Sequence, residues 1–201
     1  MKMWGLLWQR LVKKVTLFFC KNNERSRKVA VVQCLGGCHA EAVIPRGDLA
    51  GDCSQVLAEH PDGILKCKWG CLGMGSCVAA CKSDAIHINS FGAAEVDRGK
   101  CVGCGLCVKA CPLGLIRITT PEYPVYTACM NQDGGAQTRK DCSVGCIACG
   151  ICVKNCPADA VRIENNHAVI DEAKCIACGM CAVKCPRGII LDADGIFTVK
   201  A

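Results

Sequence analysis

The sequence predicts an α+β chain of two tandem, pseudo-equivalent units, organised by something other than a large apolar core. Three observations predict it. Cysteine supplies 22 of the 201 residues, and without it the hydrophobic fraction of 51% drops to about 40%, below an ordinary globular core. Segment 66–81, KCKWGCLGMGSCVAAC, returns 75 residues later as DCSVGCIACGICVKNC, with Cys67, Gly70, Cys71, Gly75, Cys77, Val78 and Cys81 falling on Cys142, Gly145, Cys146, Gly150, Cys152, Val153 and Cys156. Between the cysteine-rich segments, AIHINSFGAAEVD (85–97) and AVRIENNHAVID (160–171) alternate apolar and polar residues around turn residues, as β-hairpins do.

Cysteines at this density belong either to disulfides or to metal. A disulfide scaffold normally follows a secretory signal. Here Arg10, Lys13 and Lys14 interrupt the only apolar N-terminal stretch, and its longest clean run is Val15–Cys20, too short to span a bilayer. The expectation is a reducing cytoplasm and thiols that bind metal, with peripheral contact at the inner face of the membrane left open. The formal charge is +6, but an iron–sulfur site with four thiolates carries about −2. Four such sites bring the balance to about −2 and a fifth to about −4, so the basic residues are read as balancing buried anions, not as gripping nucleic acid.

The element at residues 1–27 is read as an amphipathic helix and basic linker. Trp4, Leu7, Trp8, Leu11, Val12, Val15, Phe18 and Phe19 recur at helical spacing opposite Gln9, Arg10, Lys13 and Lys14. Such a face suits a partner groove, and membrane contact is expected only through helix 4–19. Cys20 reads as an apolar filler.

Residues 28–120 are read as a lead-in strand, KVAVVQC (28–34), followed by the first unit. Residues 121–201 repeat the plan, with EYPVYTAC (122–129) as the lead-in. Further strands are expected at 114–120 and 189–199. Short helices are expected to start within CVAAC, CVKAC, CVKNC and CAVKC.

Three segments carry the chemistry: CVGCGLCVKACP (101–112), CIACGICVKNCP (146–157) and CIACGMCAVKCP (175–186). Each reads C-x2-C-x2-C-x3-C-P, the bacterial ferredoxin run. Three thiolates two residues apart on a looping backbone can reach three corners of one cube, and the small residues between them let amides approach its sulfurs. The fourth cysteine faces away and ligates the other cluster of the pair. Zinc would use two separated C-x2-C pairs and leave the third cysteine surplus. CSVGCIAC (142–149) also spells C-x3-C-x2-C, but the run continues through Cys152 and Cys156–Pro157, so a radical chemistry is not read from it. The fold class is therefore two tandem bacterial-type 2[4Fe-4S] ferredoxin units.

The grouping by spacing is Cys67, Cys71, Cys77 and Cys111 on one cluster and Cys101, Cys104, Cys107 and Cys81 on its partner. The second pair takes Cys146, Cys149, Cys152 and Cys185, then Cys175, Cys178, Cys181 and Cys156. Met74 stands where the second copy has Cys149, and Cys67 is expected to supply the missing corner through a glycine-rich loop. A three-iron cluster or a lost site is the alternative there. Cys34, Cys38, Cys53, Cys129 and Cys142 are left over. Four of them are candidates for a fifth cluster, the alternatives being buried thiols or a site of Cys34, Cys38, Cys53 and Cys67. His39 is read as a solvated loop residue.

With VAVVQCLGGC (29–38), GDC (51–53), CKWGCLGMGSCVAACKSDAIHI (67–88), the tandem runs and the C-x12-C-x3-C spacing of 129–146 in view, the chain resembles the RnfB family. These are polyferredoxin components of the Rnf complexes, the ferredoxin:NAD oxidoreductases of anaerobes, and the resemblance runs from about Lys28 to Ile190. It implies a multi-cluster electron-transfer subunit, for which the grouping by spacing gives at least four [4Fe-4S] clusters, a fifth being left open. It also implies soluble ferredoxin on one side and catalytic flavin- or NAD-binding subunits of a redox complex on the other. Family members usually begin with a transmembrane helix and a further cluster domain, and carry proline where Lys82 stands. A soluble relative is therefore expected. No GxGxxG after a strand, no P-loop and no nucleophile–base pair is found, so no catalytic site is expected in the chain itself. A free-standing polyferredoxin and a zinc-organised binding module are the alternatives.

Overall fold

A computed structural model describes residues 28–193; the expected N-terminal helix lies outside them. The first strand, β1 (Val29–Val32), is buried along its whole length. Two single-turn 3-10 segments, at Gly37–His39 and Arg46–Asp48, lead to α1 (Cys53–Glu59). There follow α2 (Ser76–Ala79), the hairpin β2 (Ile86–Ile88) and β3 (Ala94–Val96), α3 (Leu106–Ala110) and β4 (Ile116–Thr119). The second half repeats the order: β5 (Val125–Thr127), α4 (Gly135–Asp141), α5 (Ile151–Lys154), β6 (Val161–Glu164), β7 (His167–Ile170), α6 (Met180–Val183) and β8 (Ile190–Asp192).

Each lead-in strand closes its own half. β1 pairs antiparallel with β4, from Val29↔Thr119 to Val32↔Ile116, and β5 pairs antiparallel with β8, from Val125↔Asp192 to Thr127↔Ile190. The hairpins β2–β3 and β6–β7 form two further ribbons. Their turns follow from sequence. Asn89 accepts the amides of Phe91 and Ala93 at 3.1 Å each, and Asn165 and Asn166 take φ of 44° and 60°, the left-handed pair that a two-residue hairpin requires.

The four cysteine-bearing helices α2, α3, α5 and α6 begin one residue before the expected positions. Each is entered from a glycine with φ between 69° and 82°: Gly75, Gly105, Gly150 and Gly179. That left-handed step, cheap only for glycine, turns the chain out of the ligand loop and into the helix.

Apolar burial is divided among three small clusters. One packs Val29, Val32, Ile86, Leu115 and Ile116 around Cys71, Cys77, Cys101 and Cys107. Its counterpart packs Val125, Val161, Ile189 and Ile190 around Cys129, Cys146, Cys152 and Cys181. The third joins the halves, with Ala40, Val56, Ile64, Leu65 and Leu72 beside Cys67 and Cys142. Backbone bridges Cys34↔Cys129 and Ala40↔Cys142 cross the same seam, as do the bonds from Ser143 N to His39 O (2.9 Å) and from Glu41 N to Asp141 O (3.0 Å).

Candidate iron–sulfur centres

All cysteines among the described residues are free thiols. They ring cavities. Cys81, Cys101, Cys104 and Cys107 line one, and Cys146, Cys149, Cys152 and Cys185 line a second. The thiol of Cys181 lies in the electrostatic reach of Cys175, Cys152 and Cys156. Among the described residues no group of three or more cysteine, histidine or carboxylate side chains is placed to hold a single metal ion.

One expected grouping is not the one found. A third cavity is lined by Cys71, Cys77 and Cys111 together with Cys53, not Cys67, and Cys77 has Cys71, Cys53 and Cys111 as its electrostatic neighbours. Cys67 faces the other way, into a fourth cavity with Cys34, Cys129 and Cys142. The physical reason is local. The chain turns tightly at Cys67, with Gly70 N donating to Cys67 O at 2.9 Å, while α1 brings Cys53 in from outside the run. Asp52 holds that helix start in a capping box, accepting from Ser54 N (2.8 Å) and Gln55 N (3.0 Å), while Gln55 Oε1 accepts from Asp52 N at 2.8 Å. Cys53 N then donates to Ser76 Oγ at 2.8 Å, tying α1 to the head of α2. The capping box is a sequence signal that could have flagged Cys53. Cys38 is exposed and lines none of these four cavities. His39 is engaged with Ser143 Oγ through Nδ1 at 3.2 Å.

Amide donors aim at the sulfurs, which is the fit an anionic iron–sulfur core requires. Ala85 N donates to Cys81 Sγ (3.3 Å), Leu115 N to Cys111 Sγ (3.4 Å) and Ala160 N to Cys156 Sγ (3.2 Å), the same four-residue offset each time. Ala30 N, from β1, donates to Cys101 Sγ at 3.4 Å. Burial pushes the thiols of Cys67, Cys77 and Cys181 up to about 12 and those of Cys71, Cys129 and Cys152 up to about 11. Loading with metal must therefore drive the protons out.

Three family profiles, each described as a 4Fe-4S dicluster domain, match residues 68–118, 100–161 and 145–190. The fold and these cysteines thus define a polyferredoxin, an iron–sulfur protein carrying multiple [4Fe-4S] clusters. Within that class the chain is RnfB-like. It is 42% identical over 150 residues to the B component of the Na(+)-translocating ferredoxin:NAD(+) oxidoreductase complex of Acetobacterium woodii, covering 74% of this chain and 44% of that protein. It is 43% identical over 147 residues to the B component of the proton-translocating ferredoxin:NAD(+) oxidoreductase complex of Clostridium ljungdahlii, covering 73% and 51%. The chain therefore spans about half the length of the curated relatives it matches. A chain of the formate dehydrogenase – heterodisulfide reductase – formylmethanofuran dehydrogenase complex from Methanospirillum hungatei aligns over 61% of this chain and 51% of its own. That alignment has 21% identity and a TM-score of 0.24, too loose a likeness to bear on fold or function. No described helix is long and apolar enough to cross a membrane.

Proposed function

We propose that the chain relays single electrons from reduced ferredoxin to flavin- or NAD-binding catalytic subunits of a larger oxidoreductase. Four ferredoxin-type clusters would be held by Cys53, Cys71, Cys77 and Cys111; by Cys81, Cys101, Cys104 and Cys107; by Cys146, Cys149, Cys152 and Cys185; and by Cys156, Cys175, Cys178 and Cys181. When bound, such clusters take up and give back one electron at a time at low potential. The chain's own residues hold them, exclude water and donate amides to sulfur.

One observation carries the reading: each half places an exposed cysteine at the rim of a cavity whose other cysteines are buried or half-buried, Cys104 in the first and Cys149 in the second. A relay needs a point of access at either end, whereas an electron store needs only one. The cytoplasm, or the inner face of the membrane through residues 4–19, is its proposed place.

The test is anaerobic titration of the full chain with reduced ferredoxin, read by absorbance and by EPR of the frozen product. Uptake of about one electron per cluster, and co-purification with flavin- or NAD-binding subunits, is expected. A colourless protein with about one zinc per four cysteines and no labile sulfide would overturn it.

A further inference from the structure

We propose that Cys34, Cys67, Cys129 and Cys142 hold a fifth iron–sulfur cluster at the seam between the two halves. The proposal deepens the relay reading and rests on it.

The four side chains line a single cavity in which Cys67, Cys129 and Cys142 are 6%, 8% and 5% exposed. They come in two repeat-related pairs. Cys67 and Cys142 are equivalent under the 75-residue repeat. Cys34 and Cys129 each stand two residues after the lead-in strand of their half, and the two are joined by an antiparallel bridge. Each half thus contributes one cysteine from its lead-in and one from just ahead of its ferredoxin run.

The surroundings repeat as well. Cys71 N donates to Cys34 Sγ at 3.3 Å, and its repeat partner Cys146 N donates to Cys129 Sγ at 3.3 Å. Gly36 N adds a second bond to Cys34 Sγ at 3.3 Å. Asn131, 2% exposed, points Nδ2 at Cys67 Sγ at 3.3 Å. Glycines keep the walls thin: a Cβ on Gly36 would sit 3.2 Å from Cys34 Sγ and 3.9 Å from Cys142 Sγ, and one on Gly145 would sit 3.7 Å from Cys142 Sγ. Buried thiols ringed by N–H donors make a site for an anionic sulfur-rich core. Thiols alone would leave those donors poorly satisfied.

The position also explains a use. Cys71 and Cys146 belong to cavities on opposite sides of the seam, and both donate through their amides to sulfurs of this one. The site is therefore hydrogen-bonded directly to a proposed ligand of each half. Loading replaces four thiol protons by iron. Each later reduction takes one electron, supplied by the same reduced ferredoxin and passed on to the same acceptor, with no bond made or broken.

Native mass spectrometry of the anaerobically reconstituted full chain counts the clusters directly. Five are expected, with about twenty irons and twenty labile sulfides. The double variant Cys129→Ala/Cys142→Ala should fall to about sixteen of each while the reduced ferredoxin-type EPR signals persist, and Cys38→Ala should keep about twenty. A wild-type chain with four clusters overturns this proposal and leaves the relay intact; a wild-type chain without labile sulfide overturns the relay itself. The wild-type count decides even if the double variant fails to fold.

Discussion

Ala148 and Ala177 sit at φ of 52° and 54°, where the first-half runs have Gly73 and Gly103 at 77° and 66°. The position between the first two cysteines of a run has to reverse the chain, and an L-residue does so at a cost of roughly 1–2 kcal/mol. Alanine tolerates it; a β-branched side chain does not. Ala148→Val is expected to destabilise the loaded protein by about 2 kcal/mol or more and to strip iron from the Cys146 site, whereas Ala148→Gly keeps full iron content. Thermal melts under anaerobic conditions with iron analysis check both. Met74, the residue that breaks the repeat, has the matching explanation. Cys53 lines the cavity of Cys71, Cys77 and Cys111 from outside the run, so no thiol is needed at position 74, and Cys53→Ala should remove one cluster from the first half. An equivalent loss at Cys67 should leave that cluster in place and empty the seam site instead, so iron analysis of Cys53→Ala/Cys67→Ala should show about eight irons lost where each single variant loses about four.

At the scale of elements, α1 is seven residues long, too short to persist by propensity, and it depends on its cap. Asp52→Ala is expected to cost about 1 kcal/mol and to speed loss of iron to a chelator, because Cys53 is the first residue of the helix that the cap holds. Asp52→Asn should restore both, since asparagine caps about as well. Chelator-release kinetics on the two variants provide the check. The strands and hairpins were legible in sequence because alternation and Asn turns are local signals, and the observed ribbons fall inside the expected stretches. Helices α1 and α4 were not, since neither CSQVLAE nor GAQTRKD carries an apolar stripe long enough to stand out.

For the whole molecule, three small apolar clusters share their interiors with cysteine sulfur. Metal removal should accordingly unfold the chain, not leave an empty scaffold. Stripping iron anaerobically is expected to abolish near-UV circular dichroism and most far-UV signal. Retention of both would show that the peptide core suffices. The halves are further tied by the Arg117–Glu172 ion pair, to which Thr119 Oγ1 donates at 2.8 Å, while within the second half the Arg187 guanidinium fixes the loop behind the seam by donating to Cys142 O (2.7 Å) and Gly145 O (3.1 Å). Glu172→Ala should cost about 0.5–1 kcal/mol, less at high salt because the pair is partly exposed.

Read alone, the residues determined the kind of metal centre, because a ferredoxin run is a spacing along the chain and spacing is what a sequence records. They also determined the two-fold repetition and the resemblance to RnfB. Tertiary structure decided which cavity each isolated cysteine faces: Cys53 with Cys71, Cys77 and Cys111, and Cys67 across the seam with Cys34, Cys129 and Cys142. The reason is physical. A lone thiol is placed by strand pairing, a helix cap and a turn acting over tens of residues, and its neighbours in space leave no period in the order of the chain.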